Sequence, residues 1–173
     1  VGKAGYGIKS ENARTLQTGI VVATDNGKEL YSVCYYDRKG QLVQKRSENS
    51  LGGLDCYYYI YTYTGKVQNM LHEHVVGSSK QEEVYTYRYD NADRLQQVLH
   101  QLNGGKIVSL KQNIYDKHCR LISQKVFEKE TIGYGYNVRE WPTDISSSNF
   151  RESLSYYDGK NREFGGNISA MVW

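Results

Sequence analysis

The sequence predicts an all-β protein, a strip of consecutive antiparallel β-hairpins with little or no helix. Three observations predict it. Aromatic and polar residues alternate, as in Tyr85-Thr86-Tyr87-Arg88-Tyr89, and successive side chains of an extended chain point to opposite faces. A tyrosine followed by a short polar run recurs at Tyr36, Tyr63, Tyr89, Tyr115, Tyr136 and Tyr157, at intervals of 27, 26, 26, 21 and 21 residues, and self-similarity at such a period marks stacked units that cannot bury a face alone. The next residues are Asp37, Thr64, Asp90, Asp116, Asn137 and Asp158, and an Asp or Asn side chain accepts the backbone N–H two residues on, which reverses the chain.

Residues 1–19 read as an irregular N-terminal segment holding Gly2, Gly5, Gly7 and Gly19, with at most a helical turn or two over 11–16. No apolar stripe supports a longer helix there. Tandem hairpins then fill 20–173. Ile20-Val21-Val22-Ala23-Thr24 is rich in β-branched residues, and Asp25-Asn26-Gly27-Lys28 turns it into a strand over 29–36. Asp37-Arg38-Lys39-Gly40 is a type I turn with Gly40 in the left-handed position, leading into a strand over 42–47. After a reversal at 49–53, the strand over 55–63 carries Tyr57, Tyr59, Tyr61 and Tyr63 on one face and Cys56, Tyr58 and Ile60 on the other. Both faces call for cover, since an exposed apolar edge invites pairing with another chain.

An outgoing strand over 65–73 follows, then a flexible connection at Gly77-Ser78-Ser79-Lys80. Strands over 84–89 and 95–102 form a hairpin about Asp90, and Asn103-Gly104-Gly105 is the strongest short-range turn signal. Strands over 107–115 and 121–128 repeat the pattern about Asp116. Asp93 and Cys119 stand where the first unit has Gly40. Asp tolerates left-handed geometry and Cys does so poorly, so the Cys119 turn is expected to be strained or of another type. Residues 134–141 make a further strand-turn-strand unit that Pro142 stops. Ser146-Ser147-Ser148 reads as loop, 154–157 as strand, Asp158-Gly159 as turn, and 168–173 as a last strand. No domain boundary interrupts 20–173.

Composition agrees with a partly wet sheet, because tyrosine supplies 17 of 173 residues against 3 Phe and 2 Trp, and a tyrosine ring lies half buried with its hydroxyl in water. Lys and Arg total 22 against 19 acids, a net charge of +3, with the basic residues scattered. That distribution argues against a nucleic-acid partner. No apolar run is long enough for a membrane-spanning helix, and Val1-Gly2-Lys3 starts no secretory leader. With no initiator Met, and with an apolar run ending abruptly at Trp173, the chain is read as a piece cut from a longer one.

No constellation of side chains in the sequence points to an enzyme. Cys34, Cys56 and Cys119 match no zinc or redox spacing. His72 and His74 share a strand face, but no third ligand is obviously placed beside them, so they are read as exposed strand histidines with no metal site. Glu82-Glu83 and Glu128-Lys129-Glu130 lack apolar surroundings to raise a pKa, Ser146 to Ser148 lack a nucleophile elbow, and the glycine-rich turns precede strands, not helices. No cofactor is expected. The tyrosines carry what functional potential there is: an exposed ladder of Tyr57, Tyr59, Tyr61, Tyr85 and Tyr87 would stack on sugar rings or apolar peptide, whereas covered rings would only pack hairpins together.

Tyr87-Arg88-Tyr89-Asp90 with Arg94-Leu95 resembles the YD repeat of the RHS-repeat family, and Tyr36-Asp37 with Gly40-Gln41-Leu42 and Tyr115-Asp116 with Arg120-Leu121 are similar. The resemblance extends over roughly 20–173, and Gly166-Asn167-Ile168-Ser169-Ala170-Met171-Val172-Trp173 resembles a segment of the large bacterial members. It implies a spiralling strip of hairpins, which in large relatives closes into a shell around a toxic C-terminal polypeptide, and a secreted or cell-surface bacterial protein. The expectation is a non-enzymatic structural module whose partners are flanking repeats and an enclosed toxin or cargo. The alternative is a cell-surface carbohydrate-binding module.

Overall fold

The computed structural model describes residues 2–158 and 161–173. These residues are all-β with no helix: thirteen strands ordered β1 to β13 in an open antiparallel sheet, each bonded to its neighbours in sequence. The strands are β1 (Gly19–Ala23), β2 (Glu29–Tyr36), β3 (Leu42–Glu48), β4 (Leu54–Tyr61), β5 (Val67–Val76), β6 (Ser79–Tyr89), β7 (Leu95–Leu102), β8 (Val108–Tyr115), β9 (Leu121–Val126), β10 (Glu130–Tyr136), β11 (Pro142–Ser146), β12 (Arg151–Ser155) and β13 (Ala170–Val172). Among the described residues no helix is long and apolar enough to cross a membrane.

One turn geometry recurs. At 37–41, 62–66, 116–120 and 137–141 the first residue's carbonyl accepts from the fourth residue's N–H, and its own N–H donates to the fifth residue's carbonyl, all within 2.7–3.1 Å. The same bonds close 24–28 and 49–53 on an unshifted register, whereas these four follow a shift of register just before the strand ends, at Tyr35/Tyr36, Ile60/Tyr61, Ile114/Tyr115 and Gly135/Tyr136. This is the three-residue hairpin loop with a bulge, which needs a left-handed fourth residue. Gly40 and Gly65 supply it at φ 77° and 89°, whereas Cys119 and Glu140 take φ 66° and 64°. Asp93 takes the same place at φ 62°, after a turn in which its N–H donates to Asp90 O at 2.9 Å. The Cys119 turn is thus of the same type and strained.

The chain divides into two units, Val1–Asp93 with Leu99–Val108, and Arg94–Val98 with Ser109–Trp173. In the first, the N-terminal segment crosses one face of the sheet. Tyr6 packs with Val84 against the buried cluster Cys56, Tyr58 and Leu71, and the segment is tied down by Gly7 N–H to Tyr59 O at 3.3 Å and Ser10 N–H to Tyr36 O at 2.6 Å. Lys3 bonds to both Glu73 and Glu82, and Lys80 pairs with the same two carboxylates. The helical turns expected over 11–16 are absent; a single bond from Leu16 N–H to Ala13 O bends the chain there, because no apolar stripe rewards a helix.

The second unit buries polar residues. Asn113 and Ser109 are buried, and Asn113 bonds to Leu95 O, Tyr115 Oη and Gln124 while Gln97 reaches Ser109. Such groups are tolerated inside because they are paired. At its far end Trp141 packs on Tyr156, rings 5.0 Å apart.

Several expected boundaries move. Gly77-Ser78 is a tight reversal between β5 and β6, not a flexible connection, and Ser79 and Lys80 already belong to β6. The strand expected over 121–128 ends at Val126, where Phe127 and Glu128 turn with φ 50° and 59°. Pro142 opens β11 instead of stopping the chain, since a first strand residue has no ladder N–H to lose, and Ser146 closes that strand. Tyr63 lies past the end of β4, in the turn. Gly159, expected to complete a turn after Asp158, lies outside the described residues.

Candidate functional site

The tyrosines serve two different ends. The first is a clamp: the hydroxyls of Tyr61, Tyr89, Tyr115, Tyr136 and Tyr156 donate to Leu42 O, Val67 O, Leu95 O, Leu121 O and Pro142 O at 2.7, 2.8, 2.8, 2.9 and 2.7 Å. Each acceptor is the first residue of a strand, β3, β5, β7, β9 or β11, and each donor ends the neighbouring strand or follows it. Tyr36 does the same to Gln17 O in the N-terminal segment, at 2.7 Å.

A basic residue adds a second contact. Lys66 lies over the Tyr89 ring at 5.5 Å, Arg94 over Tyr115 at 4.7 Å and Arg120 over Tyr136 at 5.2 Å. A cation over a ring face is attracted by the ring's quadrupole, so the last turn residue of one unit packs on the clamp tyrosine of the next.

The turn residues behave as acceptors. Asp37 Oδ1 accepts from the N–H groups of Lys39 and Gln41, Asp116 Oδ1 from His118 and Arg120, and Asn137 Oδ1 from Arg139 and Trp141. Asp90 Oδ1 accepts from Ala92 N–H. Burial raises the Asp116 carboxyl's pKa, but bonds from Arg120 and His118 outweigh it and hold the group below its ordinary value. Two units depart from the expected alignment. Tyr61 and Thr62 take the places expected for Tyr63 and Thr64, leaving Tyr63 96 % exposed. Tyr156 takes the place expected for Tyr157: it is 4 % exposed against 40 %, and Asp158 accepts backward from Tyr156 N–H.

The second group is the open face. Residues paired across antiparallel strands share a face, and the register sets Tyr57 opposite His72, Asp55 opposite His74, His72 opposite Glu83, and Met70 opposite Tyr85. Tyr57, Tyr59, Tyr61, Tyr85 and Tyr87 are all half-buried, neither sealed nor free. Burial raises the hydroxyl pKa of Tyr57, Tyr59, Tyr61 and Tyr87, and for Tyr85 a bond to Glu83 adds to it. Their rings are engaged: Tyr57 stacks on His72 with centroids 4.4 Å apart and planes 2° from parallel, Tyr85 lies 4.7 Å from His100, and Tyr59 stacks on Tyr61 at 6.3 Å.

Sequence reasoning missed Asp55, which lies between the two histidines. Its Oδ1 is 2.6 Å from His74 Nδ1 and 3.1 Å from His72 Nε2, so an imidazole N–H donates from each side. Burial raises the Asp55 carboxyl, and the histidine bonds overcome this to leave it below the ordinary value. One ligand-type atom from each residue lies within 4.8 Å of the other two. Glu83 is turned elsewhere, bonding to Gln81 and Tyr85 and lying 4.0 Å from His100 Nε2, which has no hydrogen bond. Counting back from the turn at 62–66 sets Asp55 opposite Glu73, and only the bulge at Ile60/Tyr61 moves it opposite His74, so the contact has no signal in the residue pattern.

A separate concavity of about 470 Å³ is lined by the turn residues Asn49, Gly52 and Gly53, with Lys28 and Glu48 as its charged residues. It brings no nucleophile and base together. A scan against models of protein families matches none, and a search of curated proteins gives no match.

Proposed function

We propose that the chain is a non-enzymatic structural repeat module, a length of hairpin strip of the kind its YD-like motifs resemble, which scaffolds or encloses another polypeptide. One observation carries this reading: the repeated tyrosines spend their hydroxyls on backbone carbonyls at strand starts, and the rings of Tyr57, Tyr59 and Tyr85 pack against neighbouring aromatic side chains. Groups satisfied internally have little left for a ligand. On this reading the partners are flanking hairpins and the enclosed polypeptide, outside the cell or at its surface. Open sheet edges, as at β1 and β13, are templates for further strands.

The test is modular extension. Duplicating residues 116–136 in place adds one clamp unit, and stability in a repeat array grows by unit and nearest-neighbour terms. The longer chain is expected to fold and to show a larger denaturant m value, since m follows the surface exposed on unfolding. A chain that unfolds or gains no m value contradicts the proposal. So would saturable binding on a glycan array that is abolished by Tyr57→Ser or Tyr85→Ser, which would favour a carbohydrate-binding surface.

A further inference from the structure

We propose that Asp55, His72 and His74 form a binding site for a divalent transition-metal ion of the zinc type. The three side chains converge because of register, not sequence proximity. His74 is directly opposite Asp55 across β4 and β5, and His72 is its diagonal neighbour two residues along the same face, close enough for long side chains to meet. The shared oxygen lies 2.6 and 3.1 Å from the two imidazole nitrogens. Ligands at zinc bond lengths of 2.0–2.2 Å in a tetrahedron stand about 3.3 Å apart, so an ion replaces the bridging protons once Asp55 Oδ1 moves off His74 and His72 by roughly 0.7 and 0.2 Å, with all three donor atoms already within 4.8 Å of one another.

The site is poised in two further ways. The Tyr57 ring, stacked parallel to His72 within 2° and with centroids 4.4 Å apart, fixes the plane of that imidazole. The side chains of Asp55, His72 and His74 are 20, 21 and 36 % exposed, which leaves a path for a hydrated ion and a coordination position for water. Two imidazoles and one carboxylate select zinc, copper, nickel or cobalt over magnesium and calcium, whose preferred donors are all oxygen. The site is independent of the scaffold reading: a structural module with or without a metal remains one, and a bound ion would pin β4 to β5 without any bearing on glycans.

The experiment is titration of the full chain, stripped with a chelator, with Zn²⁺ by calorimetry and with Co²⁺ by visible absorption. One ion per chain is expected, at micromolar affinity or tighter, with Co²⁺ giving the intense bands of a four-coordinate site and Mg²⁺ giving no signal. His72→Gln and His74→Gln are each expected to weaken binding at least about tenfold, since even outer-shell changes cost that much. Asp55→Asn, which retains an acceptor for the imidazoles, is expected to weaken it likewise and serves if a histidine variant folds poorly by circular dichroism. His118→Gln and Cys119→Ser, in the turn at 116–120 of the other unit, should leave it unchanged. Failure to bind Zn²⁺ and Co²⁺ at millimolar metal, or binding untouched by all three site variants, overturns the proposal.

Discussion

Cys119 sits at φ 66° in the place that Gly40 fills at φ 77°, and a side chain in left-handed backbone costs about 1–2 kcal/mol, part of which glycine's looser unfolded state offsets. Cys119→Gly is therefore expected to stabilise the protein by about 1 kcal/mol, read as a rise of several degrees in Tm; an unchanged or lower Tm would show that the turn has relaxed elsewhere. Asp93 gains less from the same change. It tolerates positive φ better, and its side chain and carbonyl hold Thr64 and Lys66. The residue chemistry of the turns was legible because an Asp or Asn before a reversal acts locally. The placement of Asp55 was not, because a cross-strand contact depends on the bulge between Ile60 and Tyr61, which changes the count by one residue.

At the scale of elements, the N-terminal segment does more than its irregular sequence suggested. Gly7 lies so close to β3 that an added Cβ would stand 2.5 Å from Val43 Cγ1. Gly7→Ala should cost about 1–3 kcal/mol in denaturant unfolding by lifting the segment off the Cys56, Tyr58 and Leu71 cluster, whereas an unchanged midpoint would mean the cover is dispensable. The same segment is held electrostatically. Glu82 is depressed from 4.5 to about 2, chiefly by Lys80 and then Lys3. A group whose pKa is lower folded than unfolded stabilises the fold above its unfolded pKa and loses that contribution as pH falls through the folded one. Stability should therefore decline between about pH 4.5 and 2, and more steeply at low salt. Glu82→Gln should flatten that decline; an identical pH profile in the variant would remove Glu82 from the account. This latch could not be read from sequence, since Lys3 and Glu73 meet only after β5 and β6 pair. Strand existence was legible throughout, from alternation and turn chemistry. Strand ends were less so: at Tyr63 the last aromatic of the run sits in the turn, and at Pro142 a residue that ends most strands begins one.

For the whole molecule, the all-β strip followed from period and alternation alone, and what period could not supply was which tyrosine in each unit faces the neighbouring strand. Burial varies along the chain: β4 and β5 carry Cys56, Tyr58, Leu71 and Glu73 buried, while all three residues of β13 are exposed. Native-state hydrogen exchange should accordingly show the slowest amides in β4 and β5 and the fastest in β13; uniform protection would contradict a stability gradient. The central claim is that a tyrosine hydroxyl bonded to the start of a neighbouring strand defines each unit, and equilibrium urea unfolding of Tyr→Phe variants tests it most directly. Phe at 61, 89, 136 or 156 removes one partly buried hydrogen bond and should cost about 1 kcal/mol each, while Phe at 63 or 157, where the hydroxyl makes no such bond, should stay within about 0.5 kcal/mol of the parent. Equal losses at 61 and 63, or at 156 and 157, would contradict it.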